Sequence, residues 1–179
     1  LAHQDGVEIS QPYVYGDYVV WSVCSADEWD GGNISSGDVY VYSKKAGMYR
    51  RAREGEKLSD PMIWKRYIVC KRWDGKDNAL VAFDIDGGTP DQIVSSSMSS
   101  FPPREIYDYS VGDGYVTWNN SCLDSVPVYD IINKKKYELK SGPSDKGSRD
   151  SLLNVRIYGR TVLYRDHVYD SVSGKTLSE

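Results

Sequence analysis

The feature that most constrains this chain is that it says nearly the same thing four times. The segments "YGDYVVW" (Tyr15 to Trp21), "WKRYIVC" (Trp64 to Cys70), "VGDGYVTW" (Val111 to Trp118) and "YGRTVLY" (Tyr158 to Tyr164) follow one another along it. Their matched apolar residues Val19, Ile68, Val116 and Val162 are spaced by steps of 49, 48 and 46 residues. A second landmark trails each one: "VYSKKAG" (Val41 to Gly47), "AFDIDGG" (Ala82 to Gly88), "VYDIINK" (Val128 to Lys134) and "VYDSVSG" (Val168 to Gly174). Two landmarks kept in one order at one period define a repeat architecture, and the fold must be built from copies of that unit.

Each unit reads as about four short strands. The first ends at a two-residue turn, at Gly16-Asp17, Lys65-Arg66, Gly112-Asp113 with Gly114 added, and Gly159-Arg160; Gly or polar residues there let the chain reverse as a hairpin. The second strand is the apolar run, the third carries Tyr42, Phe83, Tyr129 or Tyr169, and a polar turn leads into a fourth. Helical periodicity is absent, and Gly, Pro and Ser interrupt every stretch long enough to support it. Fifteen Tyr and five Trp against two Phe fit aromatic-rich strands. The class expected is all-β, with four four-stranded antiparallel meanders of about 48 residues each.

One meander cannot bury both of its faces, so such units stack against neighbours around an axis, which describes β-propeller blades. The pattern "P-x-[VI]-Y-G-D-x-[VI]-V-W" followed by "[VA]-[YF]-D-x-x-x-G" resembles the TolB-type propeller repeat of archaeal and bacterial cell-surface proteins, over essentially the whole chain from Gln11. The chain departs from it at Lys65-Arg66, where Gly-Asp is favoured, at Ser43, where Asp is usual, and at the short connection Arg165 to His167. The expected organisation is a single propeller domain over residues 1–179, with blades at 11–57, 58–103, 104–150 and 151–179. Ahead of them, Asp5 to Ser10 reads either as a strand that closes the ring beside the last blade or as the tail of a preceding blade in a larger or dimeric ring.

The net charge of −4 and pI near 5.3 offer no overall attraction to nucleic acid or an anionic membrane surface. Lys44, Lys45, Arg50, Arg51 and Arg53, and the run Lys134 to Lys136, read as charges that keep strand edges from pairing with other chains. No apolar run approaches the ~20 residues of a membrane helix, and no signal peptide is visible. Cys24, Cys70 and Cys122 lack metal-ligand spacing, and Cys70 takes the place of Trp21 and Trp118 as a small core residue.

Groups for catalysis are scarce. His3 and His167 pair with no nucleophile by any motif, and no Gly-x-Ser-x-Gly is present. Asp27, Glu28, Asp30, Asp74 and Asp77 could supply a two-carboxylate site only if blades brought them together, and loop acids mostly make turns. The echo "WDGG" at Trp29 to Gly32 and "WDGK" at Trp73 to Lys76 places an indole beside a carboxylate after the second strand of two adjacent units. That composition suits sugar binding, with the ring stacking on C–H faces and Asp accepting hydroxyl hydrogen bonds.

"WNNS" at Trp118 to Ser121 adds Asn119 and Asn120 to the same face, and Asn33-Ile34-Ser35 and Asn119-Asn120-Ser121 fit the N-glycosylation pattern. "DIDGGTPD" at Asp84 to Asp91 superficially resembles a calcium loop, but the repeat already accounts for Asp84. No cofactor is expected, though calcium held by carbonyls on the propeller axis would leave no trace in sequence. The expected function is a non-catalytic interaction or structural module, extracellular or at the cell surface, that presents one face to a protein or glycan, alone or as a homo-oligomer or part of a larger assembly. The alternatives are a polysaccharide-active enzyme with acids at the propeller mouth and a viral or assembly decoration protein.

Overall fold

The computed structural model describes residues 7–25, 37–73, 77–97, 106–120, 125–140, 156–158, 161–164 and 167–170. No described residue is helical, and no helix is long and apolar enough to cross a membrane. The chain forms two compact units, Leu1–Ser95 and Ser96–Glu179, divided between the second and third repeats.

Unit one contains β1 (Val7–Ile9), β2 (Tyr13–Tyr15), β3 (Tyr18–Ser25), β4 (Gly37–Ser43), β5 (Met48–Trp64), β6 (Tyr67–Trp73), β7 (Asp77–Asp84) and β8 (Gly87–Ser97). They make one antiparallel sheet in the order β1-β3-β4-β5-β6-β7-β8, with β2 beside β3. The first two repeats are therefore not separate meanders. The expected boundary at 57/58 falls inside β5, which pairs with β4 through Met48 to Arg53 and again at Leu58, opposite Gly37, and with β6 through Leu58 to Trp64. Positive φ at Lys57 and Asp60 and a register shift between Ser59 and Met62 absorb the change of direction. Lys71 Nζ, 3.1 Å from Asp60 Oδ2, ties the irregularity to β6.

Of the segment Asp5 to Ser10, expected either to close the ring or to be the tail of a preceding blade, Val7–Ile9 pairs with β3, Val7 opposite Ser25 and Ile9 opposite Val23. It continues the line of β2 along β3, and Ser10 supports the junction: its N–H donates to the Ser22 carbonyl at 2.9 Å, and its Oγ accepts the Ser22 N–H at 2.8 Å.

Unit two contains β9 (Ile106–Gly112), β10 (Tyr115–Asn120), β11 (Ser125–Asp130) and β12 (Lys135–Lys140) as the four-stranded meander expected of the third repeat. β13 (Arg156–Tyr158), β14 (Thr161–Tyr164) and β15 (His167–Asp170) form a three-stranded sheet in the fourth. The turn between β9 and β10 falls on Asp113-Gly114 rather than Gly112-Asp113, because both of those residues have positive φ, at 46° and 87°, as a two-residue hairpin turn demands. Gly112 belongs to β9 and has another task. A Cβ there would lie 2.7 Å from the Ile157 carbonyl oxygen, so its hydrogen lets the third and fourth repeats approach.

The repeated Asp of the trailing landmark caps the turn that follows it. Asp130 Oδ1 accepts the Ile132 and Asn133 N–H groups at 2.9 Å, and its Oδ2 accepts Asn133 Nδ2 at 2.8 Å. Asp84 Oδ1 accepts the Asp86 N–H at 2.9 Å. Ser43, the departure in the first repeat, keeps a weaker version: its Oγ accepts the Ala46 N–H at 3.3 Å. At the other departure, Lys65 adopts φ 54° with no glycine, its ammonium 4.5 Å from the centre of the Trp64 ring.

Both units pack by one rule. In unit one, Val20, Val39 and Val41 of the first repeat bury against Leu58, Ile63, Ile68, Cys70, Val81 and Phe83 of the second. In unit two, Val126, Val128 and Leu139 of the third repeat bury against Ile157 and Val162 of the fourth. Cross-strand register aligns Val20 opposite Val41 with Thr117 opposite Val128. It likewise aligns Ile68 opposite Phe83 with Val162 opposite Tyr169. The face carrying Val20 or Thr117 thus meets the following repeat, and the face carrying Ile68 or Val162 meets the preceding one. At the second contact Arg156 Nη1 pairs with Asp108 Oδ2 at 2.8 Å, and the Ile157 N–H reaches Ser110 Oγ at 3.3 Å.

Candidate functional site

Of the residues expected to bind a sugar, Trp73 is described as the half-buried last residue of β6, opposite Asn78. Asn119 and Asn120 end β10, with Asn120 opposite Ile106. Trp73 and Asn120 thus each end the second strand of a repeat. Trp29, Asp30 and Asp74 lie outside the described residues, as do Asp27, Glu28, His3, Cys122 and the Asn33-Ile34-Ser35 sequence. Asp77 opens β7 and His167 opens β15. Among the described residues no three His, Cys, Asp or Glu side chains form a group able to hold a metal.

The opposite ends of the strands in unit one carry an ion-pair network that uses up most of the basic set. Arg50 Nη2 pairs with Asp86 Oδ1 at 2.8 Å, and Arg66 binds Asp84 through two nitrogens and Asp86 Oδ2 at 2.8 Å. The Arg66 guanidinium, hydrogen-bonded to Asp84, holds that carboxyl below the usual range, and Asp84 raises Arg66 in turn. Arg53 donates to the Gly88 carbonyl, and Lys44 Nζ to the Gly16 carbonyl at 3.2 Å. Two of the three acids of the calcium-like loop, Asp84 and Asp86, are therefore occupied by arginines, and most of these basic side chains tie adjacent turns and strands of their own unit together.

A different surface gathers functional character, and it is the backward-looking face of the first repeat. Register places Val14, Val19, Tyr42 and Tyr49 in one row across β2, β3, β4 and β5. Trp21, Tyr40 and Arg51 form the next row, and Ile9, Val23 and Asp38 the one beyond. The Trp21 and Tyr40 rings stack with centroids 5.8 Å apart and planes 13° from parallel, and Tyr49 tilts against both at 6.3 and 6.4 Å. Arg51 lies over the Tyr40 ring at 5.7 Å, with its Nε 3.3 Å from Asp38 Oδ2. In the second repeat the equivalent row, Ile63, Ile68 and Phe83, is buried. In the first, Val14 is 57 % exposed, Tyr49 67 % and Ile9 42 %.

Sequence reasoning passed over this face because every one of its residues is an ordinary strand residue. The signal was there in parity: Trp21, Tyr40, Tyr42 and Tyr49 fall on the same side as Val19 once the pairing is known. Without register, a Tyr-rich strand could not be told from one packed on both faces.

No family model and no curated protein matches the chain. Among solved structures it is similar to the β-propeller domain of the trilobed protease from Pyrococcus furiosus, with a TM-score of 0.59 and 10% identity over 99% of this chain and 59% of that one. It is also similar to an acylaminoacyl peptidase in complex with Z-Gly-Gly-Phe-chloromethyl ketone, with a TM-score of 0.61 and 10% identity over 97% of this chain and 32% of that one. A chain of a nidogen/laminin complex gives a TM-score of 0.56 at 10% identity, over 93% of this chain and 61% of that one. The chain thus spans less than two thirds of each. At such identities the likeness shows the fold, an antiparallel all-β propeller architecture, and nothing about activity.

Proposed function

We propose that the chain is a non-catalytic interaction module, a four-bladed propeller of the TolB type, that works outside the cell or on its surface and docks a protein or glycan partner. The observation that carries this reading is the open face of the first repeat, where Val14, Ile9 and Tyr49 lie exposed around the Trp21–Tyr40 stack. A contiguous apolar and aromatic patch left open on a folded chain marks a contact surface, since aromatic rings give large contact area at low conformational cost. The glycan arm rests on the Trp29-Asp30, Trp73-Asp74 and Asn119-Asn120 segments, which follow or end second strands of their repeats.

The test is binding of the apolar dye anilinonaphthalene sulfonate to dilute chain, with a Val14→Asp, Tyr49→Glu double variant as control. Dye fluorescence that rises with the wild type and drops in a variant of unchanged circular dichroism supports docking through this face. Absence of dye binding by the wild type removes the face from consideration. Tryptophan fluorescence titrated with soluble glycans, in the wild type and in Trp29→Ala and Trp73→Ala, decides the glycan arm: a flat titration leaves a protein partner.

A further inference from the structure

The sequence contains one Asp-Pro peptide bond, Asp60-Pro61, and β5 is irregular at that bond. Ser59 lies opposite Lys71 and Met62 opposite Val69, so Asp60 and Pro61 together face Cys70, two residues against one. That is a β-bulge whose first residue has φ 49°, a left-handed position that such bulges normally give to glycine. Proline adds to the strain, because its ring drives the residue before it towards extended backbone at negative φ. Lys71 Nζ, 3.1 Å from Asp60 Oδ2, pins the Asp60 side chain to β6. That side chain is 36 % exposed, so water reaches it, whereas Pro61 is buried.

We propose that the Asp60-Pro61 bond is a site of self-cleavage in mild acid, made reactive by the bulge that holds it, and that the two resulting pieces stay together. One carboxylate oxygen of Asp60 attacks the carbon of its own main-chain carbonyl and closes a cyclic anhydride. The bond from that carbon to the Pro61 nitrogen breaks, and the nitrogen takes one proton as it leaves and a second as a free secondary amine. Water then opens the anhydride to two carboxylates and returns two protons, so the balance is one water consumed for one peptide bond hydrolysed. Departure of Pro61 frees Asp60 from the constraint of the proline ring, which relieves backbone strain along the path of bond breaking. The charged neighbours leave the pH dependence to the leaving nitrogen. On β6, Lys71 pairs with Asp60, and Arg72, opposite Leu58, donates to Gln92 Oε1 at 2.7 Å. On β4, Asp38 pairs with Arg51, and on β5 itself Arg53 and Lys57 precede the bulge. Asp60 thus faces a lysine, whose charge does not change in mild acid.

The cut leaves strand pairing on both sides of it. Leu58 and Ser59 before the bulge, and Met62, Ile63 and Trp64 after it, all pair with β6. Val20, Val39, Val41 and Leu58 from one piece share a buried cluster with Ile63, Ile68 and Val81 from the other. The experiment follows the full chain by intact-mass spectrometry in mildly acidic and in neutral buffer, folded and in enough urea to unfold it, with folding checked by circular dichroism. Two variants accompany it. Asp60→Gly suits the left-handed backbone and removes the carboxylate, and Pro61→Ala keeps the carboxylate and removes the proline ring.

The wild type should yield residues 1–60 and 61–179 in acid and stay whole at neutral pH. Cleavage should run about tenfold faster in the folded chain than in urea at the same pH, the acceleration expected from relief of backbone strain of this kind. The pieces should leave a gel-filtration column as one species and separate in urea, and neither variant should be cut at this bond. A folded wild type that stays whole in acid, or that is cut no faster than the unfolded chain, overturns the proposal. Cleavage at the same bond in Asp60→Gly also overturns it, since the attack would then come from outside the chain. Pieces that part without urea overturn their association.

Discussion

Substituting Gly112 by Ala tests the packing rule at one atom. Gly112 closes β9, and an added Cβ would lie 2.7 Å from the Ile157 carbonyl oxygen and 3.1 Å from its Cγ2. Ordinary contact begins near 3.4 Å, so β9 and β13 would have to part by about 0.7 Å. The nearer obstacle is backbone and cannot rotate away. Forcing a methyl group into a packed contact costs about 1–3 kcal/mol. Restricting the unfolded chain by the Gly to Ala change returns about 0.4–1 kcal/mol. The midpoints of the two ranges leave a net loss of about 1.3 kcal/mol, and the backbone obstacle places the expectation at about 1–2 kcal/mol within the full span of about 0–2.6. For a chain of this size, each kcal/mol moves the melting temperature by about 2–4 °C, so Gly112→Ala should melt about 2–8 °C below the wild type. Thermal melts followed by circular dichroism measure this directly. A variant that melts at or above the wild-type temperature would show that the third and fourth repeats do not approach this closely, and the rule drawn from their contact would fall with it.

Three further outcomes follow from the caps, the ion pairs and the thiols. Asp130→Ala removes a buried carboxylate that accepts three hydrogen bonds from the turn after it and should cost about 1–3 kcal/mol in urea unfolding, with Asp130→Asn recovering much of it because one acceptor oxygen remains. Asp84 is held below its ordinary range by Arg66, so its contribution is complete at neutral pH, persists down to the unfolded carboxyl range near pH ~3.9, and is lost as pH falls through the lower folded value. The stability gap between wild type and Arg66→Gln should therefore be constant from neutral pH to about 4 and narrow below it; a gap that widens on acidification would contradict the assignment. In a Cys122→Ser variant, the buried thiols Cys24 and Cys70 should resist a thiol reagent in the native state and both react in denaturant.

The period, the strand class and the paired landmarks were legible because they depend on alternation and turn chemistry, which are local. Val19 with Tyr42, Ile68 with Phe83, Val116 with Tyr129 and Val162 with Tyr169 pair across strands two and three in all four repeats, as the landmark order implied. The shift of a turn onto Asp113-Gly114 was less legible, since three candidate residues, Gly112, Asp113 and Gly114, stand together and only the contact with Ile157 assigns Gly112 to the strand. The continuous β5 was hidden for a different reason. Arg53 to Ser59 has the charge and glycine content of a loop, and its strand character comes from β4 and β6 on either side.

Val7–Ile9 could be recognised as a strand but not assigned a partner, because three residues carry too little pattern to choose one. The open face was the least legible feature. Val14 has buried counterparts in Ile63, Val111 and Ile157, and nothing in its own sequence neighbourhood marks it as exposed.

Hydroxyl-radical footprinting of the dilute wild-type chain, comparing three tyrosines, tests most directly whether Tyr49 of the first repeat and Tyr158 of the fourth stand open. Tyr49 and Tyr158 are 67 % and 65 % exposed, whereas Tyr109 is 1 % exposed, so side-chain reactivity is the same and only access differs. Labelling of Tyr49 and Tyr158 at similar high rates, with Tyr109 far slower, is the predicted result. Tyr49 and Tyr158 as protected as Tyr109 would show that neither side chain stands open, and would contradict the account.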